Sequence, residues 1–249
     1  MKAFQFNTTP GIRFGSDYSV STAEEVSKKL GKKILFVTDP GLVKIGLHEK
    51  TITELQKYSE IIIFDNVEAD PSIKTLMDCV QQGRDFDTTG VIGFGGGSSM
   101  DVSKLTALLI GSNENIHEAW GVANAKGPRL PLALYPTTSG TGSEVTPISI
   151  ITQEDLEKKG VSSPIILPDL AILDPILTLG LPPHITAATG IDAMVHAIES
   201  YASKSVNNNL ISKTLAKEAL KLLGGSIRQA VLNGKDIEAR SNMLVGLSL

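Results

Sequence analysis

Glycines and small hydroxyl residues cluster where they could cradle a phosphate. Gly93-Phe94-Gly95-Gly96-Gly97-Ser98-Ser99-Met100-Asp101 follows the apolar run Val91 to Phe94 and precedes a helical pattern, Val102 to Ile110. A strand, a glycine turn and a helix start in that order favour an anion, because glycine lets a phosphate approach the backbone and the first helical N–H groups lack partners. The alternative is a tight turn that needs positive φ. The run is not a P-loop, since no GxxxxGK[ST] spacing exists, and it misses GxGxxG because the last position counted from Gly93 is Ser98. A second loop, Pro136-Thr137-Thr138-Ser139-Gly140-Thr141-Gly142-Ser143-Glu144, carries five hydroxyls and two glycines after the strand-like run ending at Tyr135. It suits a pyrophosphate and equally suits a solvent loop. Two such loops after two strand ends meet in one crevice of an open α/β sheet, which favours the binding reading of both.

Carboxylates and histidines supply the other chemistry. Asp39 ends the run Lys33 to Thr38, where it can accept from a ribose 2′-hydroxyl and repel the 2′-phosphate of NADP, or cap the next helix. Asp70, before Pro71, reads as an N-cap that can also border a ligand. Asp192 and His196 are i and i+4 within Gly190 to Tyr201, so they share a helix face and can bind one divalent metal. The alternative is a capped helix start with a half-buried histidine; two ligands also fall short of the three that a catalytic metal ordinarily takes. His48, His117 and His184 lie outside any ligand spacing.

The elements that must position these residues alternate short apolar runs with helical patterns, the order of an α/β fold with a largely parallel sheet. Expected strands are Lys33 to Thr38, Ile61 to Phe64, Val91 to Phe94, Leu130 to Tyr135, Val145 to Ile151 and Leu170 to Leu173, with Val145 to Ile151 paired antiparallel to a neighbour. A helix is expected near Leu42 and another over Pro71 to Gln82. From about Gly180 strand signals cease, and helices are predicted over Thr186 to Ser203, Asn209 to Leu223, Ser226 to Leu232 and Ile237 onward, the last capped by Asp236. This shift divides the chain into an α/β domain, residues 1–179, and a helical domain, residues 180–249.

Composition narrows the partners. With 249 residues, 41% hydrophobic and 20% charged, the chain suits a globular fold. Its 27 acidic and 23 basic residues give a net charge of -4 and argue against nucleic acid. The lone Cys79 forbids an internal disulfide and fits a reducing compartment. The opening MKAFQFNTTPGIRFG lacks a signal-peptide pattern, and no run approaches the roughly 20 apolar residues of a membrane span, so the expectation is a cytoplasmic protein with no membrane partner. The closing VGLSL has no terminating signal and reads as a helix cut from something longer.

The segments TDPGL, GGGSSMDVSK, PTTSGTGSEVTP, KKGVSSPIILPDLAILDP and LPPHITAATGIDAMVHAIESYAS together resemble the iron-containing (group III) alcohol dehydrogenase family, from Phe14 to Leu249. The resemblance implies a Rossmann-like dinucleotide-binding domain, an all-helical metal domain that is incomplete here, and an active site between them. On the same resemblance Asp39 matches the adenosine-ribose ligand, and Gly96, Gly97 and Ser98 the pyrophosphate loop. Thr137, Thr138 and Thr141 match the second cofactor loop, Lys159 a lysine near the ribose, and Asp192 and His196 the first two metal ligands. Asp70 occupies a place where relatives often have asparagine before proline. The family takes two further metal-binding histidines from downstream helices, and no histidine follows His196. The implied chemistry is NAD-dependent interconversion of a small alcohol and its aldehyde or ketone, with Fe2+ or Zn2+ as Lewis acid, impaired here by the half metal site. Three alternatives stand beside it. Sugar-phosphate cyclases such as dehydroquinate synthase would need more Lys and Arg in the cleft segments, and a glycerol dehydrogenase is disfavoured by GIDAMVHAIE. A non-catalytic nucleotide-binding or oligomerisation fragment would expose Met243, Leu244 and Leu247 and self-associate. A homodimer or higher oligomer is expected, partly through a strand at Lys2 to Phe6.

Overall fold

Apolar runs that look continuous in the sequence become the central strands of a sheet covered on both faces. The computed structural model describes residues 3–249. Six strands, β1 (Gly11–Phe14), β2 (Lys33–Val37), β3 (Glu60–Phe64), β4 (Gly90–Gly95), β6 (Leu132–Pro136) and β9 (Leu170–Leu173), form one sheet in the order β1-β9-β6-β4-β2-β3. Every pairing in it is parallel. Alternate residues therefore feed two separate cores. Leu35, Val37, Val91, Leu132 and Leu134 pack on α5 (Ile73–Asp85) and α6 (Gly97–Ser112), whereas Ile34, Phe36, Ile92, Phe94, Ala133 and Tyr135 pack on α2 (Ala23–Leu30) and α4 (Glu49–Leu55). That double burial is why these strands are nearly all apolar rather than alternating. α6 runs between the sheet and its neighbours and is buried along most of its length; the single-turn helices α1 (Tyr18–Ser21) and α7 (Ile116–Ala119) precede α2 and follow α6.

The chain leaves β2 outward to β3 and then returns to the other side of β2 as β4, so the strand order reverses between β2 and β4. A crevice at the carboxyl ends of strands is expected at such a point. Asp39 follows β2 and the first glycine loop follows β4, on either side of it. A smaller sheet, β5 (Gly121–Val122), β8 (Lys158–Ser162) and β7 (Ile148–Thr152), pairs β7 and β8 antiparallel, as expected for that segment.

Beyond β9 the described chain is helical, with α8 (Pro183–Ala202), α9 (Leu210–Leu232) and α10 (Ile237–Leu247) packed together. Asp236 caps α10 by accepting from the Ala239 N–H at 3.0 Å. The two helices expected at Asn209 to Leu223 and Ser226 to Leu232 are one. Ala216, Ala219, Leu223, Ser226 and Ala230 recur at helical spacing on one buried face, and this packing carries the helix through Gly224-Gly225. The helix expected over Pro71 to Gln82 begins instead at Ile73, because Ser72 rather than Asp70 caps it, accepting from Thr75 N. Arg240, 2% exposed, ties the bundle by donating to Thr186 Oγ1 at 2.8 Å and to the carbonyls of Gly234 and Leu181.

One expectation about surfaces is corrected. Met243 and Leu244 are 2% and 0% exposed, and Leu247 packs partly buried beside them, so α10 presents no apolar face for self-association. Exposed apolar residues of the helical part lie on α8, at Ile191, Val195 and Ile198, and at the ends of α9, at Leu210, Ile211 and Leu232. Residues 3–6 pair with no strand of their own chain, and Lys2 lies outside the described residues. Gln5 is tied to the α8–α9 connection, its N–H donating to Asn207 Oδ1 and its carbonyl accepting from Asn207 Nδ2, both at 2.8 Å.

Candidate functional site

Three neighbouring strands end in the polar loops. After β2, Asp39 caps α3 (Pro40–Lys44), its Oδ1 accepting from the Leu42 N–H at 3.0 Å. The capping role is real, and it leaves Oδ2 facing the first glycine loop, where a Cβ at Gly95 would lie 3.4 Å away. Gly95 has φ +151 and a Cβ there would come within 2.7 Å of Ser99 Oγ, so only glycine fits. Gly96 precedes α6 without any side-chain cap. The first N–H groups of that 16-residue helix thus lack a side-chain acceptor, and Gly96, Gly97 and Ser98 are partly exposed beside them.

The loop after β6 closes against this turn. Thr137 is buried and its N–H donates to Gly95 O at 3.0 Å. A Cβ at Gly96 would lie 3.5 Å from Thr138 Oγ1, and one at Gly97 would lie 2.8 Å from Thr141 Cγ2. Asp39, Gly96, Gly97, Ser98, Thr137, Thr138 and Thr141 therefore converge at the switch point of the sheet. An arrangement of glycines, hydroxyls and a helix N-terminus can hold a diphosphate, with a carboxylate at the end that suits a ribose.

Asp70 and Lys159 lie apart. Asp70 has φ +54 and its exposed carboxylate pairs with Lys158 Nζ at 2.6 Å. Lys159, next along β8, pairs with Glu157 at 3.5 Å.

On α8, Asp192 Oδ1 and His196 Nε2 are 3.7 Å apart, each side chain about half exposed. They line a cavity of about 790 Å³ together with Asp101, Thr141, Ser143 and Lys158. The dinucleotide-like turn and the Asp-His pair thus share this space through Thr141. Among the described residues no group of three or more His, Cys, Asp and Glu is arranged to hold a metal. A carboxylate and an imidazole are suitable donors for a divalent ion, but two donors form half of a catalytic coordination sphere.

Sequence reasoning missed the polar cluster beneath the second loop. Lys104, fully buried in α6, donates to Ser143 Oγ at 2.8 Å, Thr146 O at 2.9 Å and Ile148 O at 2.7 Å. Ser143 Oγ in turn donates to Asp101 Oδ1 at 2.7 Å, and Asp101 Oδ2 accepts from Ile150 N–H at 2.9 Å. Glu144, also fully buried, accepts from Ser248 Oγ at 3.0 Å. Burial pushes the Asp101 and Glu144 carboxyls upward against the pull of the Lys104 ammonium. It pushes Lys104 down to about 8, against the two carboxylates. The available signal was the one lysine of a helix rich in apolar and small residues, three residues after an aspartate.

The architecture and loops have counterparts in known proteins. The family model described as iron-containing alcohol dehydrogenase matches residues 9–175, and the model of the C-terminal domain of that family matches residues 186–249. A sulfoacetaldehyde reductase of Bilophila wadsworthia is 39% identical over 99% of the chain and 64% of its own length. A long-chain-alcohol dehydrogenase of Geobacillus thermodenitrificans is 44% identical over 88% of the chain and 56% of its own length. An alcohol dehydrogenase structure from Oenococcus oeni superposes with a TM-score of 0.93 at 33% identity, covering 99% of this chain and 65% of that one. The chain accordingly spans somewhat under two thirds of the length of these relatives. With both family models matched in order along nearly all of its residues, the chain belongs to the iron-containing alcohol dehydrogenase family.

Proposed function

We propose that the chain binds NAD at the switch point and belongs to an oxidoreductase that interconverts a small alcohol with its aldehyde or ketone. The observation that supports this most directly is the convergence of Asp39, the Gly95–Gly97 turn and the Thr138 and Thr141 hydroxyls at adjacent strand ends. Asp39 Oδ2 takes a ribose hydroxyl while Oδ1 keeps its cap, and that negative charge disfavours a 2′-phosphate. The unpaired N–H groups at the start of α6 and the Thr138 and Thr141 hydroxyls hold the pyrophosphate. The nicotinamide end then points toward the cavity that carries Asp192 and His196, where substrate is held. Asp70 and Lys159 form an outer rim, Asp70 acting through its pair with Lys158. A related sulfoacetaldehyde reductase from Bifidobacterium kashiwanohense, 30% identical, has been solved in complex with NAD+.

Asp192 and His196 would hold a divalent ion, Fe2+ or Zn2+, which when bound supplies Lewis acidity at an alcohol oxygen. These 249 residues offer two donors for it, so they hold metal weakly and oxidise alcohol slowly, with cofactor binding the stronger property. The division into a cofactor-binding part, residues 1–179, and a helical part, residues 180–249, follows the same logic.

Calorimetric titration of the chain with NAD, then with Fe2+ or Zn2+, tests this. Saturable NAD binding with feeble metal binding is expected. Absence of NAD binding overturns the cofactor reading, and stoichiometric tight metal binding overturns the half-site.

A further inference from the structure

The second glycine loop is set from below by a lysine that no surface feature announces. Nζ of Lys104 lies fully buried with three acceptors around it: Ser143 Oγ, Thr146 O and Ile148 O, at 2.7–2.9 Å. An ammonium has three N–H donors, so every donor is used and the group is held in one orientation. All three acceptors belong to residues 143–148, the segment that leads the loop from Thr141 into β7. Lys104 itself belongs to α6, whose first turn is the other glycine loop. Pairing of β4 with β6 joins the two loops at their starts, and this one side chain ties the far end of the second loop to the helix that opens the first.

Resting on the reading of these loops as a dinucleotide site, we propose that Lys104 is its positioning residue. It sets the Thr138–Thr141 side of the site through Ser143 and the carbonyls of Thr146 and Ile148, without touching the ligand. Ser143 is the shared joint, because its Oγ accepts from Lys104 and donates to Asp101 at 2.7 Å. Asp101 extends the clamp to β7 by accepting from Ile150 N–H. The charged groups that face Lys104 are Asp101 on its own helix and Glu144 on the loop, and β7 presents carbonyl oxygens to it. Loss of a proton from Nζ leaves two donors for three acceptors and turns a lone pair toward one oxygen, so the loop loosens. Burial places that change near pH 8.

The test compares NAD with AMP, which carries the adenosine and one phosphate for Asp39 and the first loop but lacks the second phosphate and the nicotinamide half that lean most on the Thr138–Thr141 side. In Lys104→Met, NAD affinity falls about tenfold while AMP affinity stays within about twofold, as expected for loss of charge-assisted bonds that act only on the second loop. Ser143→Ala removes the joint without removing the charge and gives a smaller NAD-specific loss. For the wild-type chain the Kd for NAD rises as pH passes about 8, and the rise is absent in Lys104→Met. A folded Lys104→Met chain with wild-type NAD affinity overturns the proposal, as does an equal loss for AMP and NAD, which marks general structural damage. If Lys104→Met does not fold, Ser143→Ala and the wild-type pH profile decide, and an unchanged NAD affinity in both overturns it. A wild-type chain that binds neither ligand overturns the cofactor reading and this inference with it. One that binds both, with Lys104→Met indistinguishable, overturns this inference alone.

Discussion

Asp39 performs two tasks with two oxygens, and substitution can separate them. Oδ1 caps the five-residue helix α3 at 3.0 Å from Leu42 N, and Oδ2 faces the first glycine loop. Asp39→Asn keeps an oxygen for the cap and removes the charge, whereas Asp39→Ala removes both. Loss of the cap costs about 1 kcal/mol, which lowers the melting temperature of a chain this size by about 2–4 °C in the alanine variant and hardly at all in the asparagine variant. The charge acts on cofactor choice. A carboxylate and a phosphate charge roughly 5 Å apart, at an effective dielectric of about 20–40, repel by about 2–3 kcal/mol. Salt screening at this partly exposed position reduces that to about 1–2 kcal/mol, or a factor of about 5–30 in relative affinity. The ratio of Kd for NADP to Kd for NAD, measured by fluorescence titration at fixed ionic strength, is therefore expected to fall about 5–30-fold in Asp39→Asn with stability preserved. An unchanged ratio in a fully stable Asp39→Asn protein would reduce Asp39 to a cap with no part in cofactor choice.

Three further outcomes are expected. Gly95→Ala forces a Cβ within 2.7 Å of the buried Ser99 Oγ at φ +151, and should cost about 2–4 kcal/mol in urea unfolding; a loss under about 1 kcal/mol contradicts the close packing. Arg240→Met strands the carbonyls of Leu181 and Gly234 and the Thr186 hydroxyl, and should destabilise by about 2–4 kcal/mol; an unmoved urea midpoint shows that the bundle does not depend on it. Lys104, held near 8 in the fold against an ordinary 10.5, binds fewer protons folded than unfolded above pH 8, so this one group should add about 1 kcal/mol of stability from pH 8 to about 9. Over the same range and above it the Cys79 thiol, kept protonated to about 12 by burial while the unfolded thiol ionises, works against that gain; the Lys104 contribution is read as the difference between the wild-type and Lys104→Met pH profiles, and identical profiles refute the assignment.

What the sequence made legible follows from which interactions are local. β2, β4 and β9 were readable because both faces of each are buried, leaving apolar runs with no competing periodicity. β1 was not, since four edge residues with Ile12 and Phe14 about two-fifths exposed carry little apolar signal. β8 was hidden by Lys158, Lys159 and Gly160, residues poor in strand preference that are held extended by pairing with β7. At Gly224-Gly225 the local rule pointed to a break, and packing of a buried face that runs from Ala216 to Ala230 overrode it.

The candidate site divides along the same line. Glycine turns and hydroxyl loops announce themselves because the conformations they need are rare for other residues, so composition alone locates them. The Lys104 clamp does not, because its three acceptors are a hydroxyl and two backbone carbonyls, 39 to 44 residues away in sequence. Backbone acceptors leave no residue-type signature, and only the fold brings them to the lysine. Yet a fully buried ammonium survives only where every proton finds an oxygen, so a lone lysine in a buried helix signals an organised loop beside it. That makes the residue pattern after the glycine turn, Asp101 followed three positions later by Lys104, as informative about the second loop as the glycines are about the first.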